Sequence, residues 1–534
     1  MWVFELFELN KDMILKFKDT FVKSKKFWLI YLIFISITFL SVISQKNLEH
    51  PKLEIILFAF LAILGVFCIV YYFLHDSDKE LFKVAFIIIL CFGIICSFIV
   101  PIVDVSDEVE HLTRAELTSQ GVLIPHWTGD DIGIDRLYNH SEEEFSNELN
   151  KGIGYETIQS IDFFYKNREV TIFDTNHDTD KINTSICIKG SAFEQNPFYG
   201  YLPQAIGILI AKLLDLNVIW LLWLGRICNL ICYAGLISLA IKITPKFKMP
   251  LLAVACIPIT IYQAASVSID SMIFGLGILA VAYFIHLCYL NDVSLKEIIL
   301  FSVLSLLLGL CKLPYLAFIF LLLFIPRKNF TKTNFYWVIL SIIVVGLIGI
   351  LYSKYSTPAL MHSWRSSYNY INSTFQLNYL INNPIQIIEF FKQIFTSDLG
   401  YVVNGVFNFF NGKLGAHYQD NYVFITLCLQ IFLAMILFAY PSDDEIEPKT
   451  KIGALIVLLI IYIGTCFIQL LTWSYVGEMR LGISVRYFIP LFALIPLIVP
   501  HWDYYPQETF NKYVFVFIVA FMATLLLSFV TKYY

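Results

Sequence analysis

About thirteen runs of roughly 20 apolar residues recur along this chain, and they constrain its fold more than any other feature. A run of that length matches a helix crossing a hydrocarbon core, where backbone groups meet no water and must pair within the segment. The runs lie near 27–45, 53–74, 81–100, 219–241, 250–267, 271–290, 297–311, 313–326, 335–353, 421–440, 452–471, 487–500 and 513–531. Charged residues fill only 15% of the 534 positions and hydrophobic residues 58%, with a mean hydropathy of +0.70. Soluble domains carry about 25% charged residues. The expected fold is an all-α polytopic membrane protein in which these runs are the transmembrane helices.

Basic residues orient the runs. Lys11, Lys16, Lys18, Lys23, Lys25 and Lys26 crowd the first 26 residues, and short basic flanks stay in the cytoplasm. That segment is too long and too charged for a signal peptide, so it reads as a cytoplasmic amphipathic stretch ahead of three helices within 27–100. Alternation then places Lys242, Lys246, Lys248, Arg327, Lys328, Lys332, Lys449 and Lys451 inside as well. Helices four to nine fall in 219–353 and ten to thirteen in 421–534, and two large loops, 101–218 and 354–420, lie outside. The expected location is the cytoplasmic membrane, with multiple passes and the amino terminus inside. One choice matters to this topology: residues 297–326 form a hairpin broken at Pro314 rather than one long helix, which leaves Lys312 near the outer surface.

A net charge of -5 gives no footprint for nucleic acid. Of 11 cysteines only Cys187 falls in the first polar loop, so neither a disulfide framework nor paired zinc-ligand spacing is present. No phosphate-binding glycine loop is visible either, which argues against a nucleotide co-substrate.

The densest chemistry lies directly after the third run, in PIVDVSDEVEHLTRAELTSQG at 101–121. Residues 107–120 read as a helix with Asp107 at its N-cap and Glu110 three residues on, the spacing of a capping box. The apolar YLPQAIGILIAKLLDL at 201–216 is about 24 Å long as a helix, which suits the membrane interface. NPIQIIEFFKQIF and GYVVNGVFNFFNGKLG in the second loop read as amphipathic, aromatic pieces.

Several segments in this order resemble the bacterial membrane proteins of domain of unknown function family 2142. They are SDEVEHLTRAELTSQG, YGYLPQAIGILIAKLL with LGRICNL, AASVSID at 264–270, LCKLPY at 310–315 and VRYFIP at 485–490. The similarity spans about 101–500, and the first two runs look like an amino-terminal addition. Members look like GT-C glycosyltransferases, which use polyprenyl-phosphate-linked sugars at the outer membrane face and carry a catalytic carboxylate in the first large outer loop. This chain departs from the family pattern in having Pro101 alone rather than two prolines before the acidic motif, and in the extra carboxylate of Asp104.

The resemblance implies an inverting transfer of a sugar from a polyprenyl-phosphate donor to an envelope glycan. No cofactor is required for it, though some lipid-linked transferases use a divalent cation. Asp107 or Glu108 would be the general base, the alternative being that the first caps its helix and the second complements the helix dipole. His111 lies one turn from Asp107 and would support it or join a metal site. Arg114 would pair with Glu110, and Asp270 would contact substrate hydroxyls or cap its own helix. Arg486, Lys312, Arg226 and Arg480 are the cations available to a lipid phosphate, Arg486 foremost, since guanidinium offers a planar fork and intramembrane charges are costly. A transporter or flippase of lipid-linked saccharides is the competing class, and an envelope polymerase or ligase a third.

Overall fold

The computed structural model describes residues 15–44, 52–75, 79–126, 128, 154–190, 193–362, 371–407, 423–442, 446–479 and 481–534. Three long helices open it: α1 (Lys25–Ile43), α2 (Lys52–Leu74) and α3 (Leu81–Ile99). The first polar region follows, with α4 (Glu108–Ser119), strand β1 (Tyr155–Ile158), α5 (Ile161–Lys166), strand β2 (Ile186–Lys189) and α6 (Leu202–Leu213). Next come α7 (Ile219–Ile243), α8 (Lys248–Ala255), α9 (Pro258–Ala264), α10 (Asp270–Tyr289), α11 (Leu295–Cys311), a 3₁₀ segment (Leu313–Phe324) and α12 (Lys332–His362). The remainder comprises α13 (Ser373–Asn382), α14 (Ile385–Gln393), α15 (Leu399–Phe407), α16 (Val423–Phe438), α17 (Pro448–Trp473), α18 (Ile489–Phe492), α19 (Ile495–Ile498) and α20 (Gln507–Tyr533).

The chain is an all-α membrane protein. Among the described residues eight helices are long and apolar enough to cross a membrane: α1, α2, α3, α7, α10, the 333–357 part of α12, α17 and α20. The other five apolar runs form shorter or interrupted elements. Proline explains three of them, because it lacks an N–H and crowds the preceding turn. Pro258 opens α9 after the break at Cys256–Ile257, Pro314 opens the 3₁₀ segment, and Pro490 and Pro496 split 487–500 into α18 and α19. The remaining two, α11 and α16, have 17 and 16 residues.

The hairpin expected at 297–326 is present. The Leu316 side chain fills the space a Cβ on Gly309 would need, so the two arms touch just below the turn. At the opposite end Val293 N donates to Asn329 O at 2.8 Å and Asn334 Nδ2 to Val293 O at 2.9 Å, which closes the base.

Side-chain contacts sort the connections into two ends. One gathers Lys26 over the Tyr513 ring, Phe247 against Tyr440, Tyr440 bonded to Asn511 at 2.8 Å, and Lys328 paired with Glu447 at 2.8 Å. This is the end that carries the basic residues expected inside. The opposite end carries α4, the start of α10, Lys312, Arg486 and Tyr533. Between them α20 is the central pillar: 94% of its apolar window is buried, against 17% for α12 on the periphery.

Two peripheral features bear on the site. The ribbon β1–β2 is antiparallel, pairing Tyr155 with Lys189, and Gly154 beside it has φ +143° with its Cα facing the Lys189 carbonyl. Helix α6 buries Gln204, Ala205, Gly207, Ile208 and Ala211 while exposing Ile206, Leu209, Ile210 and Leu213, as an interfacial helix does. The second loop carries helices at the amphipathic, aromatic pieces expected there, as far as 407. Residues 385–407 continue helically through a π turn at Ile394–Asp398; the first part lies on α17, where Phe390 packs on Phe467 and Tyr462 OH donates to Ile394 O at 2.5 Å, and Phe407 at the far end packs on Phe492.

Orientation is directly testable. In a cysteine-free background, Asp178→Cys and Asn382→Cys should react with an impermeant maleimide in intact cells, while Lys449→Cys should react only after permeabilisation. The reverse pattern would turn the molecule over.

Candidate functional site

The short loop between α3 and α4 holds two residues in the left-handed region, Val103 at φ 45° and Asp107 at φ 61°. Neither is glycine, and for β-branched valine this is a true outlier, so the loop is held there by its surroundings. Asp104 between them is buried and accepts from Tyr262 OH at 2.9 Å and from Tyr533 OH at 2.9 and 3.0 Å. Ile102 N donates to Val170 O at 3.1 Å and Glu169 N to Ile102 O at 2.8 Å, tying the loop to the outer layer. Asp104 is therefore an anchor.

Glu108 and Arg226 form one buried unit, each side chain fully inaccessible. Arg226 Nε donates to Glu108 Oε1 at 2.8 Å and Nη2 to Oε2 at 2.6 Å, a bidentate pair. Its Nη1 also donates to Ser97 O and Val100 O, at 3.0 and 2.8 Å, and Nη2 to Pro101 O at 2.9 Å. All five guanidinium hydrogens are thus committed. Glu108 Oε1 accepts in addition from Val267 N at 3.1 Å. This corrects two expectations: Glu108 is the partner of a structural cation instead of an available base, and Arg226 caps the end of α3 with no donor left for a phosphate.

Asp107, the next residue, has the opposite fate. Its side chain is 47% exposed and makes no capping bond to α4, so the capping box is not formed. The left-handed backbone at Asp107 turns the carboxylate away from the helix N-terminus, and Glu110 meets Arg168 at 3.0 Å instead. Arg486 Nη2 donates to Asp107 Oδ2 at 2.5 Å and Nη1 to Ser106 O at 3.0 Å, while Nε touches Asp270 Oδ2 at 3.1 Å without a hydrogen-bonding angle. Burial opposes the charge on Arg486, but Asp270, Tyr487 and Asp107 together hold its pKa above the usual arginine range. Unlike Arg226, it keeps an uncommitted N–H on each terminal nitrogen among the described residues.

Arg486 and Asp270 line a cavity of about 430 Å³ together with His111 and Lys312. The rest of its wall is largely apolar, from Leu310, Leu313, Pro314, Leu360, Leu377, Ile468, Leu471 and Trp473. Lys312 sits at the hairpin tip, its ammonium over the Tyr487 ring. Burial pushes the Lys312 amine well down, with Asp270 offsetting part of the shift, so an anionic neighbour would favour its charged form. His111 stacks on Phe193 with ring centres 4.2 Å apart, and its Nδ1 lies 2.7 Å from Tyr201 OH. Burial pushes the imidazole down to about 4 despite the carboxylates of Asp270 and Asp107, so it is neutral at neutral pH.

Arg114 does not meet Glu110, which corrects that pairing. It is buried over the Tyr201 ring and donates to Thr118 Oγ1 at 2.7 Å and to the Leu123 and Asn196 carbonyls at 3.0 and 3.3 Å, closing the end of α4. Glu116, unremarked in the sequence, is fully buried and pairs with Lys212 at 2.5 Å and Thr157 Oγ1 at 2.5 Å, joining α4 to α6 and the ribbon. Arg480 lies outside the described residues. Among the described residues no group of three or more His, Cys, Asp and Glu is arranged to hold a metal ion.

The structure thus brings Asp107, His111, Asp270, Lys312 and Arg486 to one place and gives Glu108, Arg226 and Arg114 to the scaffold. Tyr201, Phe193 and Asn196 around His111 escaped notice, as did the cavity face of α17. Of the overlooked residues, Tyr487 carried a local signal, adjoining Arg486 in VRYFIP, and Tyr201 another, within YGYLPQAIGILIAKLL. No curated protein and no solved structure matches the chain. Residues 90–495 match the family described as predicted membrane protein (DUF2142), a span that takes in α4, the hairpin and Arg486 and leaves out α1 and α2, and the chain belongs to that family.

Proposed function

We propose that this protein is a glycosyltransferase of the GT-C kind, passing the chain through the membrane about thirteen times and using a polyprenyl-phosphate sugar outside the cytoplasmic membrane. The observation that carries the reading is the cavity itself, in which an arginine with two uncommitted N–H groups and a half-buried lysine share a wall with many aliphatic and aromatic side chains. That combination suits an anion attached to a hydrocarbon tail. An envelope glycan would supply the acceptor hydroxyl.

In this reaction the acceptor oxygen attacks the anomeric carbon from the face opposite the phosphate. A carbon–oxygen bond forms there as the bond to the phosphate oxygen breaks, and the electron pair leaves with polyprenyl phosphate. Asp107, the half-exposed carboxylate of the site, takes the acceptor proton. Arg486 and Lys312 stabilise the departing phosphate, which leaves as an anion and needs no strong general acid. Asp270 and neutral His111 position the cation and the substrate hydroxyls.

Two adjacent carboxylates should respond in opposite ways. Asp107→Asn should accumulate normally and lose transfer by roughly 10²- to 10⁴-fold. Glu108→Gln leaves the Arg226 charge buried with a weaker partner, and breaking such a pair costs roughly 3–5 kcal/mol, so this variant should fail first in accumulation and thermal stability. Equal accumulation with transfer lost only in Glu108→Gln would reassign the base.

Arg486→Lys keeps the charge and loses the fork. A charge-assisted bond contributes about 1.5–3 kcal/mol, so donor KM should rise about ten- to hundredfold, and further in Arg486→Ala. Inhibition by bare polyprenyl phosphate should weaken in parallel. Unchanged inhibition in Arg486→Ala would remove Arg486 from the phosphate site.

A further inference from the structure

The face of α17 that lines the cavity carries polar groups that an apolar span has no packing reason to bury. Thr465 and Gln469 stand one helical turn apart and so on the same side. They are 1% and 8% exposed, and both line the cavity that holds Arg486 and Lys312. Thr465 Oγ1 and Gln469 Oε1 find no hydrogen-bond partner among the described residues. The usual outlet for such a hydroxyl is the carbonyl one turn back, which Thr472 uses on the same helix, donating to Ile468 O at 2.8 Å. Thr465 does not take it. Buried polar groups are ordinarily paired, and unpaired ones aimed into a cavity point to a ligand that pairs with them.

The chemistry of the two groups narrows the ligand. An amide oxygen needs a donor, and a fully ionised phosphate has none to offer. A hydrocarbon tail would leave both groups unpaired. Neither residue is charged, so a cation or a carboxylate would gain little from them. Sugar hydroxyls donate and accept at once and satisfy both. We propose that Thr465 and Gln469, one turn apart on the cavity face of α17, form a subsite that recognises the hydroxyl groups of a saccharide. This deepens the donor reading above and rests on it: the phosphate faces Arg486 and Lys312, and the sugar attached to it faces α17.

The test uses the full chain in nanodiscs with two kinds of probe, bare decaprenyl phosphate and decaprenyl-phosphoryl glucose, galactose, mannose, arabinose and N-acetylglucosamine. Wild type should bind at least one sugar-bearing probe more tightly than the bare phosphate. Gln469→Leu and Thr465→Val should each reduce that preference, Gln469→Leu by about tenfold or more, since a site built to bond hydroxyls discriminates through them. Affinity for bare decaprenyl phosphate should stay within about twofold of wild type, which also shows that the variants fold. A preference that survives in both variants, or is absent from wild type, defeats the subsite while leaving the lipid-phosphate reading intact. Loss of bare-phosphate affinity in step with sugar affinity makes this face of α17 structural and likewise defeats it. Failure of wild type to bind any probe defeats the donor reading, and the subsite falls with it.

Discussion

The buried pair of Glu108 and Arg226 is the interaction on which the site depends. A helix ends with carbonyls that lack partners, and α3 ends at Ile99 inside protein, away from bulk water. Arg226 resolves this from the neighbouring α7 by accepting the burden of Ser97, Val100 and Pro101 together with both oxygens of Glu108. Burying two charges is costly, and a pair repays that cost only with good geometry and every remaining donor satisfied. Both conditions are met here. The same carboxylate accepts from Val267 N, so one cluster sets the spacing of α3, α4, α7 and the turn that leads into α10 and Asp270.

With Glu108 turned inward, the left-handed backbone at Asp107 turns that carboxylate outward towards Arg486. The strained conformations at Val103 and Asp107 persist because the loop is fixed at both sides, by Asp104 to Tyr262 and Tyr533 and by Glu108 to Arg226. Three acidic residues within five positions therefore do three different things. Asp104 anchors, Glu108 braces, and Asp107 faces the cavity's arginine.

The membrane class, the location of the apolar runs, the hairpin at Pro314 and the sorting of basic residues to one end were all legible in the sequence, because each rests on local composition or on proline chemistry. The capping box was misread because Asp107 has the right residue type and spacing but the wrong backbone conformation, which the braced loop imposes. Arg226 and Arg486 look alike in sequence, each a lone arginine in apolar surroundings. Only the count of committed donors separates them, and that count depends on carbonyls and carboxylates more than a hundred positions away in each case. The apolar stripe at 385–393 was legible as amphipathic, but not its seat on α17, because the contact of Phe390 with Phe467 joins positions far apart in the chain.

The arrangement around Arg486 also couples the two halves of the proposed chemistry. In the structure its charge is shared between Asp107 at 2.5 Å and Asp270 at 3.1 Å, within a site whose burial strengthens every electrostatic term. On the proposed reading an incoming phosphate would bind the uncommitted edge of the same guanidinium and compete with both carboxylates for it. Of the two, Asp107 is the more exposed, so it is the partner with room to move aside. Donor binding would then loosen the Asp107–Arg486 contact as the acceptor arrives, so that phosphate recognition and proton removal draw on one guanidinium.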